Sequence, residues 1–271
     1  MNIPQHWRRL KPNLFSASQQ REEVIHYPSE GLEEDPAGLQ SSWVRYRNFA
    51  ILDFVTSHDL NEIVEVGAGN GVVAQFLTNQ GINVVAIEPH ILGAEQIAHH
   101  GIRTFVGTLH DADFPAKSVS SIGMFDVIEH IQDPSVILNE CHRVMSHESR
   151  LIITVPVGKW LWGAIDDLLG HQTRYRKTTL NAILRECGFK VIHSRYLFLS
   201  LVPIAVLTRV IPYRLTRNRV SMERHRKQVM PGRYLDWTLG VCLGFEKSLS
   251  RILKLPYGLS LIVIAEKVEC S

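Results

Sequence analysis

The sequence is poor in cysteine and has no long uninterrupted apolar run. Its four cysteines among 271 residues are widely scattered and form neither a Cys-x-x-Cys pair nor a metal-ligand spacing. This distribution argues against a disulfide framework, favours reduced thiols and leads us to predict no metal site. An almost wholly apolar stretch at residues 197–207 is interrupted by Pro203 and is too short to span a bilayer.

A strong excess of charge of one sign is lacking as well. The 29 lysines and arginines nearly balance the 27 acidic residues, which leaves a formal net charge of +2. Such a balance does not favour a dedicated nucleic-acid binder, and no nucleic-acid partner is expected. Residues 1–13 are polar and lack the apolar stretch of a secretory signal. We therefore expect a cytoplasmic protein.

Hydrophobic residues make up 45% of the chain, which is enough for one sizeable core. From Glu62 onward, short β-branched runs alternate with segments of helical period, which predicts a Rossmann-like α/β fold. We expect seven mostly parallel strands with helices on both faces and a helical insertion before the last strand. The strands are predicted at Ile63–Val66, Val84–Glu88, Thr104–Val106, Val119–Phe125, Leu151–Val155, Lys190–Tyr196 and Ser260–Ala265. Helices are predicted at Trp43–Ser57, Val72–Gln80, Ile91–His100, Pro134–Met145 and Thr178–Cys187.

Four segments follow from this pattern. Residues 1–42 are predicted to form an N-terminal arm, which from residue 14 onward is rich in Ser, Gln, Glu, Gly and Pro and has no sustained period. Residues 43–198 form the core, and residues 199–256 form the helical insertion or lid. Residues 257–271 supply the last core strand and the C-terminus.

The insertion combines an apolar first part with a basic second part. Seven basic residues between Arg209 and Lys227 are opposed there only by Glu223. The pattern suits a lid over an amphiphilic acceptor, or a peripheral contact of residues 197–228 with an anionic membrane. A helical cap that buries its apolar stripe on the core and leaves a solvated basic face accounts for the same pattern.

A glycine-rich turn follows the first predicted strand of the core. Glu65, Gly67, Ala68, Gly69 and Gly71 stand where this strand ends and a helix begins. Glycine permits the tight turn and the close approach of a ligand, and the helix N-terminus offers free N–H groups to an anionic group. Structural turns use the same residue, so the turn alone does not identify a ligand.

An acidic residue, Glu88, ends the second predicted strand of the core and is followed by Pro89. Glu88 stands at the spacing expected of a carboxylate that hydrogen-bonds a ribose diol. A carboxylate at this place is also typical of a helix cap. Together with the glycine turn, Glu88 predicts an adenosine ligand.

Residues within the glycine turn distinguish between adenosine ligands. The dinucleotide fingerprint G-x-G-x-x-G needs glycine at position 72, where this chain has Val72. Glu65 at the strand end suits the ammonium group of an amino-acid-bearing nucleoside and would repel a pyrophosphate. Both residues argue against a nicotinamide dinucleotide.

Three motifs together resemble the class I S-adenosylmethionine-dependent methyltransferases, over Trp43–Tyr196 and again at the final strand. The first motif of that family matches Val64–Gly71, and its acidic second-strand motif matches Ile87–Pro89. Its fourth motif matches Phe125–Pro134. This last segment is similar to the D-V-L-E-H-V-x-D-P signature of a branch that includes quinone-biosynthesis and many small-molecule methyltransferases.

The resemblance implies S-adenosylmethionine as the cofactor and assigns residues to each part of it. The glycine turn would line the methionine moiety, Glu88 the ribose, and residues 125–127 the floor beside the sulfonium. At the adenine the family's Gly-Asp is replaced by Gly107-Thr108, so the Thr108 hydroxyl, backbone or Asp111 would serve there. The residues predicted to bind the cofactor are Glu65, Gly67, Ala68, Gly69, Gly71, Glu88, Pro89, Thr108, Leu109, Phe125, Asp126, Val127 and His130.

A loop after the fifth predicted strand carries the candidate acceptor site. Asp166 and His171 are the catalytic candidates, with His171 as a general base and Asp166 orienting it. Trp162, Arg174 and Tyr175 are the candidates for binding the acceptor, because ligands of open α/β sheets bind beyond the carboxyl ends of the strands. A structural network in which His171 and Arg174 pin the loop is an equal alternative.

Three functions remain open on the sequence alone. The first is transfer of a methyl group to a small-molecule or amphiphilic acceptor. The second is an NAD(P)-dependent oxidoreductase, and the third is a non-catalytic protein that retains a nucleoside pocket. Methyl transfer is favoured over an oxidoreductase by Val72, Glu65 and Phe125–Pro134. A non-catalytic protein would differ from a methyltransferase only in lacking turnover.

Overall fold

A nine-stranded sheet forms the centre of the protein, seen in a computed structural model that describes residues 4, 6–17, 41–216, 233–250 and 253–268. The order across the sheet is β1-β2-β5-β4-β3-β6-β7-β9-β8. Strands β2 to β7 run parallel, whereas β9 is antiparallel to both of its neighbours. The Rossmann-like α/β prediction is confirmed. The strands are β1 (Arg8–Lys11), β2 (Leu14–Ser16), β3 (Glu62–Val66), β4 (Asn83–Glu88), β5 (Arg103–Val106), β6 (Val119–Phe125), β7 (Met145–Pro156), β8 (Phe189–Leu197) and β9 (Ser260–Lys267).

The predicted count of seven strands is wrong, because two short strands from the segment predicted as an arm extend the sheet. β2 pairs in parallel with β5, and β1 turns back antiparallel to β2. Leu14 is buried, and the Trp7 indole donates to the Ala112 carbonyl at 2.8 Å. A three-residue strand is too short to display a period of two, so its pairing is invisible in the sequence pattern.

Helices connect the strands and cover both faces. All five helices predicted before the insertion are confirmed, and residues 199–216 and 233–250 of the insertion are helical. The Val206–Val210 segment is a π-helix. The α-helices are α1 (Ser42–Thr56), α2 (Val72–Asn79), α3 (Ile91–His99), α4 (Leu109–Ala112), α5 (Pro134–Val144), α6 (Ala164–Leu168), α7 (Lys177–Glu186), α8 (Val202–Ala205), α9 (Ile211–Thr216) and α10 (Arg233–Ser250).

The central strands are buried on both faces. In β9, Val263 belongs to the hydrophobic cluster on one face and Ile264 to the cluster on the other, and both side chains are inaccessible to solvent. Successive side chains of a strand point to opposite faces, so a nearly continuous apolar run is required here. This explains why the core strands could be predicted from unbroken β-branched runs.

The insertion packs beside the sheet and against the first helix. The Ser42 backbone N–H donates to Asp236 Oδ1 at 2.9 Å, and Tyr46 Oη donates to Glu246 Oε1 at 2.9 Å, so α10 is held on α1. None of the described helices is both long and apolar enough to cross a membrane. The basic residues between 217 and 227 lie outside the described residues. The predicted boundaries at 198 and 256 stay predictions.

Candidate functional site

The candidate site lies at the point in the sheet where successive strands stop being added on one side and begin to be added on the other. From β3 the chain continues through β4 and β5 on one side, and it then returns to form β6 on the other side of β3. In open α/β sheets, ligands bind beyond the carboxyl ends of the strands at such a switch point. The predicted cofactor residues lie at or shortly after the carboxyl ends of β3, β4, β5 and β6 and so meet at one edge.

The glycine turn after β3 has the backbone that its sequence predicts. Gly67, Gly69 and Gly71 have φ angles of +71°, +59° and +79°, a region in which a side chain is strained. A Cβ on Gly67 would lie 2.8 Å from Val127, whereas a Cβ on Gly69 would meet no atom within 4 Å. Gly67 therefore permits close packing within the protein, and Gly69 borders open space at the head of α2.

Glu88 closes this turn from the neighbouring strand. Its Oε2 accepts from the Gly69 N–H at 2.7 Å, and its Oε1 accepts from the His90 N–H at 2.8 Å. Burial raises the pKa of Glu88 to about 7, against the effect of these two hydrogen bonds. Each carboxylate oxygen has a second lone pair, so the group can also accept from a ligand hydroxyl.

Glu65 is a second buried carboxylate at the same edge. It is almost inaccessible to solvent, and its Oε2 accepts no hydrogen bond from the described residues. Burial is the main cause that raises the pKa of Glu65 to about 8, while the Arg47 guanidinium acts to lower it. A buried carboxylate with an unused oxygen is suited to a cationic ligand group.

The residues after β5 are arranged differently from the adenine contacts predicted for them. The Thr108 hydroxyl donates to Asp111 Oδ2 at 2.7 Å and accepts from the Asp111 N–H at 3.2 Å, so the two residues cap α4. The Leu109 side chain has no exposed surface and belongs to the hydrophobic core. Helix capping and core packing therefore occupy the side chains expected to face the adenine.

At the end of β6, Asp126 is held in a strained conformation. Its φ of +59° is uncommon for a residue other than glycine and is typical of functional sites. Arg47 Nη1 donates to Asp126 Oδ2 at 2.8 Å, and Thr154 Oγ1 donates to Asp126 Oδ1 at 3.1 Å. Phe125 beside it is buried, and Val127 packs on Gly67. The structure thus brings Val127 against the glycine turn, with Phe125 and Asp126 directly before it in the chain.

The 3₁₀ turn that follows, Ile128–His130, carries two further polar side chains. Glu129 is fully buried, and burial is the main cause that raises its pKa well above the usual value. Burial, followed by the neighbouring His171, lowers the pKa of His130 to about 4. The His130 and His171 rings meet edge to face with centroids 4.8 Å apart.

The predicted catalytic pair is joined in the structure. His171 Nδ1 lies 2.8 Å from Asp166 Oδ1, and Arg174 Nε donates to the same oxygen at 2.7 Å. Burial acts to raise the pKa of Asp166, but the bonds from His171 and Arg174 hold it below the usual value. Arg174 Nη1 also donates to the Val157 carbonyl at 3.0 Å. The predicted network in which His171 and Arg174 pin the loop is therefore present.

Two residues predicted to bind the acceptor are engaged within the protein. The Trp162 indole donates to Asp167 Oδ1 at 2.9 Å. Tyr175 is buried, and its hydroxyl donates to the Ile128 carbonyl at 3.1 Å. Tyr175 thus differs from the prediction, because its ring fills the core and fastens the loop to the 3₁₀ turn.

Several residues at this edge were not assigned to the site from the sequence. Arg47 comes from α1, and a Cβ on Gly93 of α3 would lie 2.3 Å from the Gly69 carbonyl oxygen. Arg209, from the π-helix, is partly buried near Arg174 and Asp166, and this burial is the main cause that lowers its pKa. A π-helix is rare and frequently marks a functional site, but neither it nor these packing contacts leaves a local sequence signal.

Known proteins resemble this chain in sequence and in fold. It is 24% identical over 157 residues to a "Probable S-adenosylmethionine-dependent methyltransferase" of Mycobacterium tuberculosis, which covers 57% of this chain and 56% of that protein. It is 26% identical over 133 residues to a ubiquinone biosynthesis O-methyltransferase of Xylella fastidiosa, covering 44% and 52% of the two chains. The chain thus spans about half the length of these curated relatives.

A solved structure shares the fold at low sequence identity. The "putative sarcosine dimethylglycine methyltransferase" from Galdieria sulphuraria superposes with a TM-score of 0.56 at 16% identity, covering 83% of this chain and 86% of that one. Residues 39–194, more than half of the chain, match the family model described as a methyltransferase domain. This match confirms the predicted family resemblance, and the chain belongs to the methyltransferase domain family.

Proposed function

We propose that this protein transfers the methyl group of S-adenosylmethionine to a small-molecule or amphiphilic acceptor. The observation that carries the proposal is the pairing of two buried carboxylates, Glu65 and Glu88, across the glycine turn after β3. Glu88 suits the ribose diol, and Glu65 suits the ammonium group of the methionine moiety. A pyrophosphate would be repelled by either carboxylate in its ionised form.

The reaction needs alignment more than covalent help from the protein. A lone pair of an acceptor oxygen or nitrogen attacks the methyl carbon, the carbon–sulfur bond breaks, and its electrons stay on sulfur as S-adenosylhomocysteine forms. For a hydroxyl or amine acceptor, the proton released must pass to a base. His171 is our candidate base, and Asp166 at 2.8 Å would orient it and stabilise its protonated form.

The relatives support an acceptor of small-molecule type. One of them is named as a methyltransferase of ubiquinone biosynthesis, and it shares 26% of its residues with this chain over the aligned segment. Arg174 shares the Asp166 carboxylate with His171, and the Trp162 indole donates to the neighbouring Asp167, so a cationic and an aromatic group belong to the same loop as His171. We infer that Trp162 and Arg174 border the acceptor while also holding the loop.

Calorimetric titration with S-adenosylmethionine, S-adenosylhomocysteine and NADH tests the cofactor. We expect saturable binding of the two sulfur nucleosides, and a roughly 10- to 100-fold loss of affinity in Glu88→Gln because a charged acceptor of the ribose hydroxyls is removed. The affinity of the natural protein for S-adenosylmethionine should fall from pH 8 to pH 6. The pKa of Glu88 is about 7, and its ionised form accepts hydrogen bonds from the ribose hydroxyls better than its protonated form. Glu88→Gln should reduce this pH dependence, and the part that remains would come from Glu65, whose pKa is about 8.

The alternatives predict different results in the same experiment. Preference for NADH would favour an oxidoreductase, and binding without release of S-adenosylhomocysteine across an acceptor screen would favour a non-catalytic protein. Failure of the folded protein to bind any of the three nucleosides would overturn the proposal.

We further infer that the insertion contacts an anionic membrane or an amphiphilic acceptor. Ile204, Leu207, Ile211 and Leu215 recur at helical spacing along α8, the π-helix and α9, and all four are exposed. The sequence that follows is basic through Lys227. An apolar stripe beside basic residues suits an interface in which acyl chains meet acidic headgroups.

Vesicle co-sedimentation tests this contact. The natural protein should bind phosphatidylglycerol vesicles more tightly than phosphatidylcholine vesicles, and the double change Leu207→Glu with Leu215→Glu should weaken binding roughly tenfold or more, because each change removes apolar area and adds a repelled charge. Val136→Glu is the matched control, since Val136 is an equally exposed apolar residue on α5. Equal binding of both variants, or none by the natural protein, would contradict the membrane contact.

A further inference from the structure

The 3₁₀ turn after β6 and the acceptor loop together form a cluster that methyl transfer does not by itself explain. Glu129, His130 and His171 each offer one ligand atom, and these atoms lie within 4.8 Å of one another. Glu129 has no exposed surface, and neither of its carboxylate oxygens accepts a hydrogen bond from the side chain or backbone of another described residue. Two imidazoles and a buried carboxylate therefore converge on one point.

The unpartnered carboxylate is the feature that points to a ligand. Removing a carboxylate from water without a hydrogen-bond partner or counter-charge is costly, and native proteins rarely leave both oxygens unsatisfied. Protonation would not remove the problem, because a carboxylic acid also needs a hydrogen-bond partner for its O–H. A cation bound between the carboxylate and the imidazoles would supply both the charge and the missing bonds.

Supporting contacts resemble those that hold metal ligands. A ligating imidazole binds the ion through one nitrogen, while a carboxylate or backbone carbonyl fixes the ring through the other. His171 Nδ1 is held by Asp166, which Arg174 in turn fixes, so Nε2 is the nitrogen available for an ion. His130 has a hydrogen bond with the backbone of Leu169.

We propose that Glu129, His130 and His171 bind a divalent first-row transition-metal ion and that Asp166 positions His171 as a ligand. Two nitrogens and one oxygen favour Zn²⁺, Co²⁺ or Fe²⁺ over Mg²⁺ and Ca²⁺, which prefer oxygen alone. Ligands about 2.1 Å from one ion lie roughly 3 to 3.5 Å apart, so separations of up to 4.8 Å between the three ligand atoms would shorten by roughly 1.3 to 1.8 Å on binding. Three protein ligands leave a position for a further oxygen or nitrogen.

The proposed metal site does not depend on the proposed methyl transfer, because Glu129, His130 and His171 would bind the ion whether or not S-adenosylmethionine is bound. If both hold, the ion would bind an acceptor hydroxyl and lower its pKa, and His171 would serve as a ligand in place of a base. The two proposals therefore make separable predictions about one residue.

Cobalt titration of the full chain, purified without a histidine tag, tests the site. We expect visible d–d absorption that saturates at one Co²⁺ per chain, displacement by Zn²⁺, and no competition from Mg²⁺ or Ca²⁺. Glu129→Gln and His171→Ala should each weaken binding roughly 100-fold or more, because a direct ligand is lost. Asp166→Asn should weaken it by about 10- to 100-fold, as expected of a group that orients a ligand.

Two controls separate this site from adventitious binding and from unfolding. His100→Ala alters an exposed histidine whose ring lies 5.9 Å from that of His99, a pair that could bind Co²⁺ at the surface. This variant should keep the full affinity. Circular dichroism checks the fold of each variant, and His171→Ala decides the question if Glu129→Gln does not fold.

Absence of stoichiometric Co²⁺ binding, or equal binding by the natural protein and His171→Ala, would overturn the metal site. Co²⁺ binding that is lost in His171→Ala, by a protein that binds no S-adenosylmethionine, would keep the metal site and overturn the proposed function. Binding that is lost in His100→Ala would assign the ion to the surface pair and overturn the proposal.

Discussion

Replacing Gly69 with leucine is expected to lower the affinity for S-adenosylmethionine roughly 100-fold or more, which corresponds to about 2.7 kcal/mol. Gly69 has a φ of +59°, and its Cβ would point into space with no atom of the described residues within 4 Å. A leucine side chain would therefore avoid clashes within the protein and occupy the region beside the backbone N–H that donates to Glu88. Calorimetric titration measures the loss directly.

Gly81→Leu is the matched control for this change. Gly81 has a φ of +86°, and a Cβ there would also meet nothing within 4 Å, but the residue follows α2 at the end away from the turn. Both variants bear a similar conformational strain of about 1 kcal/mol. If Gly81→Leu lowered the affinity as much as Gly69→Leu, the space beside Gly69 would not be the cofactor site.

The second large effect is expected for Glu65→Gln, which should increase stability while weakening cofactor binding. The pKa of Glu65 is about 8 in the folded protein, above the usual value near 4.5. Between pH 4.5 and pH 8, Glu65 is therefore more protonated in the folded protein than in the unfolded chain. The contribution of Glu65 to the free energy of unfolding is fully present below pH 4.5 and is lost as the pH rises through 8. Glutamine removes this loss, since it does not ionise.

The magnitude follows from the size of the shift. One pKa unit is worth about 1.4 kcal/mol, so the shift from 4.5 to about 8 means that Glu65→Gln should raise the free energy of unfolding by roughly 5 kcal/mol at pH 9 and by little at pH 4.5. Denaturant unfolding at several pH values measures this difference. Affinity for S-adenosylmethionine should fall by about 10- to 100-fold, because the charge facing its ammonium group is lost.

The same substitution at Glu186 is the control. Glu186 is an exposed residue at the end of α7, so Glu186→Gln should change neither the unfolding free energy nor the affinity appreciably. A decrease in stability for Glu65→Gln at pH 9 would show that the buried carboxylate has a structural partner. Unchanged affinity would remove Glu65 from the cofactor site.

The core strands could be predicted because they are buried on both faces. Such strands must be nearly continuous β-branched runs, as in residues 260–265, and the glycines and acidic residues at their carboxyl ends give the site a local signature. The N-terminal strands β1 and β2 have neither a long β-branched run nor such a signature. β1 is fully exposed, and β2 spans Leu14–Ser16, so the pairing that adds them to the sheet depends on backbone hydrogen bonds that side-chain patterns do not encode.

The candidate acceptor site was partly predicted by residue type. His171 and Asp166 were chosen for their chemistry, and the structure joins them at 2.8 Å. Tyr175 was chosen on the same basis, but it lies in the core. An aromatic residue with a polar tip suits either environment, so only packing distinguishes the two.

By itself, the sequence determined the α/β fold, the glycine turn and the acidic residue that faces it, because each depends on residues that are neighbours along one strand or turn. Only the tertiary structure decided which distant residues share a site. Arg47 reaches Asp126 through the packing of α1, and Glu129 meets His171 because the acceptor loop folds back onto the turn after β6. Contacts of this kind are fixed by the sheet order and by side-chain packing, for which a single sequence carries no periodic signal.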